Sequence, residues 1–138
     1  MDYKVIGGAA LALHGLARAT EDLDLLVDPT DTNIARLREA LRTLFDDPNV
    51  DEIVASEMRG EYPAIQYIPP GRPFHLDLLA KLGDAFDYPA IEAEFKTFEG
   101  VRVCVATPRM LHQMKRSTVR PKDRVDATRL AEAFGLEG

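Results

Sequence analysis

The chain has 138 residues, 46% of them hydrophobic and 29% charged, with a net charge of -6, which excludes a disordered tail or a fibre and predicts one globular domain over residues 1–138. Its longest apolar runs, such as VIGGAALAL, fall far short of the ~20 residues that a membrane span needs. The opening MDYK offers neither a basic leader nor a small-residue cleavage site, so a cytoplasmic protein with no membrane partner is expected.

In chain order, YKVI reads as a short strand, and GGAALALHGL as a helix opened by glycines and closed near Gly15. DLDLLVD is the next strand, ended by Pro29. From about Asp31 a helix follows, because Ile34, Leu37, Leu41 and Leu44 recur at spacings of three and four and form one apolar face. DDPNVDE breaks that helix, and EIVASEM fits either period. PAIQYI and PFHLDLL read as strands joined by the turn PPGR into a hairpin. KLGDAFDYPAIEAEF reads as a polar connection containing a helical turn. FKTF and VRVCVA form a second hairpin around Glu99 and Gly100. The lone Cys104 lies in that second strand, where it reads as a small core residue with no partner for an internal disulfide. Thr107 and Pro108 read as the cap and first turn of a helix through PRMLHQMKRS, and Pro121 starts a last helix ended by Gly135. Helices alternating with hairpins predict an α/β (α+β) fold with a mixed, largely antiparallel sheet flanked by helices.

Charge is distributed unevenly. Residues 109–129 carry seven basic and two acidic side chains, a local balance of +5 in an otherwise acidic chain. Such a segment suits contact with phosphates, although a solvated helix face is the commoner use of a basic run.

The chemistry starts at Asp22 and Asp24. Two apart on a strand, they share one face, with Leu23, Leu25 and Val27 on the other. Adjacent carboxylates repel and lose hydration when half buried, so a cation should offset them. Mg2+ prefers carboxylate oxygens and fills its remaining positions with water and phosphate oxygens, which makes the pair a platform for polyphosphate chemistry. Upstream, Gly7 and Gly8 lie between a strand and a helix, where the lack of Cβ lets backbone N–H groups approach a phosphate. Asp77, in HLDLL, faces opposite to Leu76 and Leu78, and sheet pairing can bring it beside the first two aspartates as a third carboxylate. His75 shares the face of Asp77. His14 reads as a capping or loop-packing residue and His112 as an exposed helix residue, and the three histidines show no zinc-ligand spacing.

The segment IGGAALALHGLARATEDLDLLVD resembles the signature of the DNA polymerase beta-like nucleotidyltransferase superfamily: a Gly-Gly or Gly-Ser turn, a helix, then Asp-x-Asp on a strand. Thirteen residues separate Gly8 from Asp22. The later Asp77 matches that family's third carboxylate. The wider phrasing, with Ala10, His14, Gly15, Arg18 and Thr20, resembles the small bacterial branch of AbiEii-type and MenT-type toxins, as does the late MKRSTVRPKDRVDATRL with Lys115, Lys122, Asp123 and Asp126. The resemblance runs from about Tyr3 to Leu130.

That resemblance implies transfer of a nucleoside monophosphate from a triphosphate to a hydroxyl acceptor, with release of pyrophosphate. Asp22, Asp24 and Asp77 would hold Mg2+ (or Mn2+), Asp77 would also help activate the acceptor, and Gly7 and Gly8 would cradle phosphate. Lys115, as a compact point charge, would neutralise the triphosphate, and Arg18 and Thr20 would reach the same phosphates. Asp123 and Asp126 either complement the last helix's dipole or orient Lys115 or an acceptor. The resemblance leaves the acceptor open between an RNA such as tRNA, a small molecule and a protein, and it admits an antitoxin protein as a partner. Relatives often carry a helix ahead of the Gly-Gly strand, where this sequence has six residues, so an open sheet flank suited to a partner or a second copy is expected. The alternative is a nucleotide-binding or partner-binding module of the same fold without turnover.

Overall fold

The computed structural model describes residues 1–16, 22–60, 64–82, 86–116 and 118–136. Strand β1 (Tyr3–Ile6) runs directly into α1 (Gly7–Leu13), and β2 (Asp22–Val27) leads to α2 (Asp31–Leu44). A 3-10 turn at Pro48–Glu52 and the single-turn helix α3 (Ala55–Met58) precede a hairpin of β3 (Ala64–Tyr67) and β4 (His75–Leu79). β5 (Lys81–Leu82) and β6 (Phe86–Asp87) form a small separate ladder, followed by a 3-10 turn at Tyr88–Ala90. The chain closes with a hairpin of β7 (Ala93–Phe98) and β8 (Val101–Ala106), then α4 (Pro108–Arg116) and α5 (Pro121–Phe134).

The six-stranded sheet has the order β3-β4-β2-β1-β8-β7. β1/β2, β3/β4 and β7/β8 pair antiparallel, and β2/β4 and β1/β8 parallel, so the sheet is mixed with antiparallel pairs in the majority. β3 and β7 are its edges. The parallel β2/β4 pairing matters most for function, because parallel neighbours present their equivalent ends at the same edge of the sheet.

Burial grades along β2. Leu26 and Val27, which as neighbours point to opposite faces, are both fully buried, while Asp22, Leu23 and Asp24 are only partly covered. Leu26, Val27, Leu78 and Val105 share a core with Leu11, Ile34, Leu37, Leu111 and Leu130 from the helices. The sheet is therefore closed over its middle and open where the aspartates begin.

Local rules account for most element ends. The Thr30 hydroxyl accepts from the Asn33 N–H at 3.1 Å and starts α2, and the Thr107 hydroxyl accepts from the Met110 N–H at 3.2 Å and starts α4. Gly135 ends α5 in the left-handed region, with φ of 66°.

Several sequence expectations change. Leu44, expected on the buried face of α2, is 68% exposed, because the helix stops there and Phe45 turns inward to pack against Tyr67. ASEM, left open between periods, forms α3, and the expected polar connection contains β5, β6 and the first residues of β7. Pairing with β8 extends β7 back to Ala93, opposite Ala106. Cys104, expected in the core, is only partly buried. Asn33 is a buried polar residue that the apolar pattern of α2 does not reveal. Its amide donates to the Asp2 and Asp28 carbonyls, both at 2.8 Å, and its Oδ1 accepts from the Asp2 N–H, tying the start of β1 to the end of β2.

Candidate active site

Register brings the acidic residues together. In the parallel β2/β4 pair, Asp22 stands opposite His75 and Asp24 opposite Asp77, so all four side chains rise from one face of two adjacent strands. The His75 Nε2 lies 2.8 Å from the Asp22 Oδ1 and 3.7 Å from the Asp77 Oδ2. Asp24 and Asp77 are themselves hydrogen-bonded. A hydrogen bond between two carboxyls forms only while one of them is protonated, since two ionised carboxylates offer only acceptors.

The proton has a physical cause. The Asp24 carboxyl is pushed up from 3.8 to about 6, first by burial, then by the hydrogen bond and charge of Asp77 and by the charge of Asp22, with Lys115 opposing. The cluster is thus short of positive charge.

On the other side of β2, β1 sets the approach of the glycine turn. Ile6 pairs with Asp24, so Gly7 lies directly over the Asp24 carboxyl. Gly7 has φ of 69°, and a Cβ there would stand 2.3 Å from the Asp24 Oδ2. Glycine is required twice, for the backbone conformation and for the space. Gly8 follows as the second residue of α1 and is partly buried.

Lys115 reaches the site from the last turn of α4. Its Nζ lies 3.4 Å from the Asp123 Oδ1 and 3.2 Å from the Asp126 Oδ2, and the three side chains are only 12%, 12% and 1% exposed. The Thr118 hydroxyl donates to the second oxygen of Asp123 at 2.9 Å. The expectation that Asp123 and Asp126 act on the α5 dipole or on Lys115 resolves in part: both touch the lysine, and Asp123 also lies in the first turn of α5. A cleft of about 760 Å³ is lined by Asp24, Asp77 and Lys115 together with the apolar Leu79, Leu82, Phe86 and Met114. A lining that mixes charged and apolar side chains can take a ligand carrying both a polyanion and an apolar ring system.

Other sequence-selected residues fall elsewhere. Arg18 and Thr20 lie outside the described residues. His14 is buried at the end of α1 with its Nε2 2.7 Å from the Ala106 carbonyl oxygen, a packing role away from the cleft. His112, expected to be exposed, is 4% exposed, on a turn of α4 whose Met110 and Leu111 are buried as well, in a helix packed against α5. Sequence reasoning raised His75 only as a neighbour of Asp77. The signal that ties it to Asp22 is the register of two strands far apart in sequence, which spacing alone does not give.

Among the described residues, Asp22, His75 and Asp77 form a group able to hold a metal ion, with one donor atom from each within 4.8 Å of the others. No described helix is long and apolar enough to cross a membrane.

A family model described as nucleotidyl transferase AbiEii toxin, type IV TA system, matches residues 5–138. No curated protein matches the chain. Among solved structures, it is similar to an antigenic nucleotidyltransferase-like protein from Paracoccidioides brasiliensis, with 17% identity and a TM-score of 0.56 over 96% of this chain and 68% of that one. At that identity the likeness is one of fold.

Proposed function

Because the chain belongs to the AbiEii nucleotidyl transferase toxin family, we propose that it transfers a nucleoside monophosphate from a triphosphate such as ATP to a hydroxyl of an RNA acceptor such as tRNA, using Mg2+. In this reading residues 1–138 act as one nucleotidyltransferase-like domain in the cytoplasm, where an antitoxin protein restrains it. The observation that carries the reading is the parallel register of Asp24 with Asp77 beneath Gly7, which gathers carboxylates and a glycine turn at one end of the cleft.

The donor set fits a divalent cation: oxygen donors from Asp22 and Asp77 come within 4.8 Å of each other and of the His75 ring, and burial and neighbouring carboxylates push the Asp24 carboxyl up to about 6, as expected of a cluster short of positive charge. Asp22, Asp24 and Asp77 would hold it, and it would supply charge neutralisation and alignment of the triphosphate. The remaining steps belong to the protein's own groups. Gly7 and Gly8 lie against the phosphates, Lys115 neutralises them from α4, and Asp123 and Asp126 fix the lysine's position. Arg18 and Thr20, just before β2 in the sequence and outside the described residues, belong to this reading as further phosphate-binding groups. The acceptor oxygen bonds to the α-phosphorus as the bond to the bridging β-phosphate oxygen breaks, and pyrophosphate departs. Asp77 takes up the acceptor's hydroxyl proton.

The test is incubation of purified protein with labelled nucleoside triphosphates, Mg2+ and total cellular RNA. Label on a discrete RNA is the expected result. Tight triphosphate binding with no label on RNA, protein or small molecules would instead favour a binding module of the same fold.

A further inference from the structure

We infer that His75 is itself a ligand of the site's divalent cation and makes the site prefer Mn2+ to Mg2+; the inference rests on the metal-dependent reading above. An all-carboxylate site would present only hard oxygens, the donors that Mg2+ favours. Here the third donor in reach is an imidazole nitrogen. His75 lies two residues before Asp77 on β4 and opposite Asp22 on β2, so register makes it a same-face neighbour of both aspartates. Its Nε2 points at both carboxylates, 2.8 Å from Asp22 and 3.7 Å from Asp77, and its side chain is 30% exposed, open enough to exchange a protein partner for an ion. Donor atoms around an ion with bonds of about 2.1 Å stand about 3.0 to 4.2 Å apart, a range the three donors reach with small adjustments from their present separations within 4.8 Å. Imidazole binds first-row transition ions far better than Mg2+, and among those in cells Mn2+ most nearly shares the carboxylate and phosphate chemistry of Mg2+. One histidine added to the carboxylates therefore keeps phosphate chemistry while shifting the preferred ion.

The competing role for His75 is a hydrogen-bond donor that holds Asp22 and must be displaced when metal arrives. The two roles predict opposite changes in affinity. The experiment uses the full chain stripped with EDTA and titrated with Mn2+ without nucleotide, following free Mn2+ by electron paramagnetic resonance and the bound ion by nitrogen modulation of its spin echo. The expected results are nitrogen modulation in the wild type, Mn2+ bound at least about tenfold more tightly than Mg2+, and in His75→Ala loss of the modulation with about tenfold weaker Mn2+ binding and little change for Mg2+. His75→Asp, which restores an all-oxygen set, should bring the two ions to within a few-fold of each other, and it serves where the alanine variant fails to fold. Bound Mn2+ without nitrogen modulation, unchanged or tighter Mn2+ binding in His75→Ala, or no Mn2+ uptake by the wild type would each overturn the assignment. His14 and His112 are buried outside the cluster, so nitrogen modulation reports on His75. Transfer measured in Mg2+ separates the two readings: a chain that labels RNA without nitrogen-bound Mn2+ refutes the ligand role alone, and nitrogen-bound Mn2+ with no transfer refutes the enzyme alone.

Discussion

Asp24 and Asp77 stand opposite each other across the parallel β2/β4 pairing, hydrogen-bonded to each other and only partly screened from solvent. Two carboxyls held this close in a half-buried setting favour a shared proton at low pH and repel each other once both ionise, so at neutral pH the arrangement costs stability by itself and gains it from a cation. Its geometry makes sense only as part of a larger constellation with charge of the opposite sign.

The first prediction concerns the carboxylates singly. Asp22→Asn and Asp77→Asn keep side-chain volume and remove metal-binding charge, so each should lower nucleotidyl transfer by at least about a hundredfold while leaving the far-ultraviolet circular dichroism unchanged. The assay is label transfer from a nucleoside triphosphate under saturating Mg2+. Activity equal to wild type in either variant would remove these residues from the mechanism.

A second follows from the raised Asp24 carboxyl. Its folded value, about 6, lies above the 3.8 of the free group, so the folded state binds this proton more tightly than the unfolded state does. Stability from that source is present below about pH 4, and it is lost as pH rises towards 6 and stays absent above it. The full shift would correspond to ~3 kcal/mol, and solvent screening of a half-exposed group reduces this to about 1 to 2 kcal/mol. Asp24→Asn, which never ionises, should match the wild type near pH 4 and exceed it in EDTA at pH 7.5. Thermal melts of both proteins across that range measure the difference, and a gap that does not grow with pH refutes the account. Adding Mn2+ should raise the wild type selectively.

Much of this site was legible in the sequence because it depends on short-range rules. Period-two alternation put Asp22 and Asp24 on one face, and the Thr107 and Gly135 signals set the bounds of the last two helices. What escaped depends on contacts distant in sequence. The side chain of Asn33 is satisfied by backbone groups at Asp2 and Asp28, which no pattern within α2 encodes. His112 looked exposed because its polarity was weighed without the tertiary packing that buries that turn of α4. His75 gained a partner in Asp22 only when β4 took its place beside β2.

A third prediction addresses the lysine. Lys115 is nearly buried between Asp123 and Asp126, so Lys115→Met leaves two closely placed carboxylates facing each other and should destabilise the fold by about 3 kcal/mol. It should also raise the KM for the triphosphate by about tenfold or more, through loss of the phosphate-facing charge. Lys115→Met combined with Asp123→Asn and Asp126→Asn removes the stranded charge and should recover most of the melting temperature without recovering the KM. Recovery of both would mean that the lysine serves the fold alone.

The last prediction tests why position 7 is glycine, and it separates two causes that act at one residue. Gly7→Ala forces an L-residue into φ of 69° and drives its Cβ to 2.3 Å from the Asp24 Oδ2. The backbone conformation alone should cost about 1 kcal/mol. The clash adds whatever is needed to move a carboxyl held by Asp77, bringing the total to about 2 to 3 kcal/mol. In an Asp24→Ala background that carboxyl is gone, so the same Gly7→Ala change should cost only the backbone share. A double-mutant cycle in urea should therefore show coupling of about 1 to 2 kcal/mol between residues seventeen positions apart in sequence. Zero coupling would mean that the Asp24 side chain yields freely to a Cβ at position 7. The glycine would then serve the turn alone and place no constraint on the carboxyl beneath it.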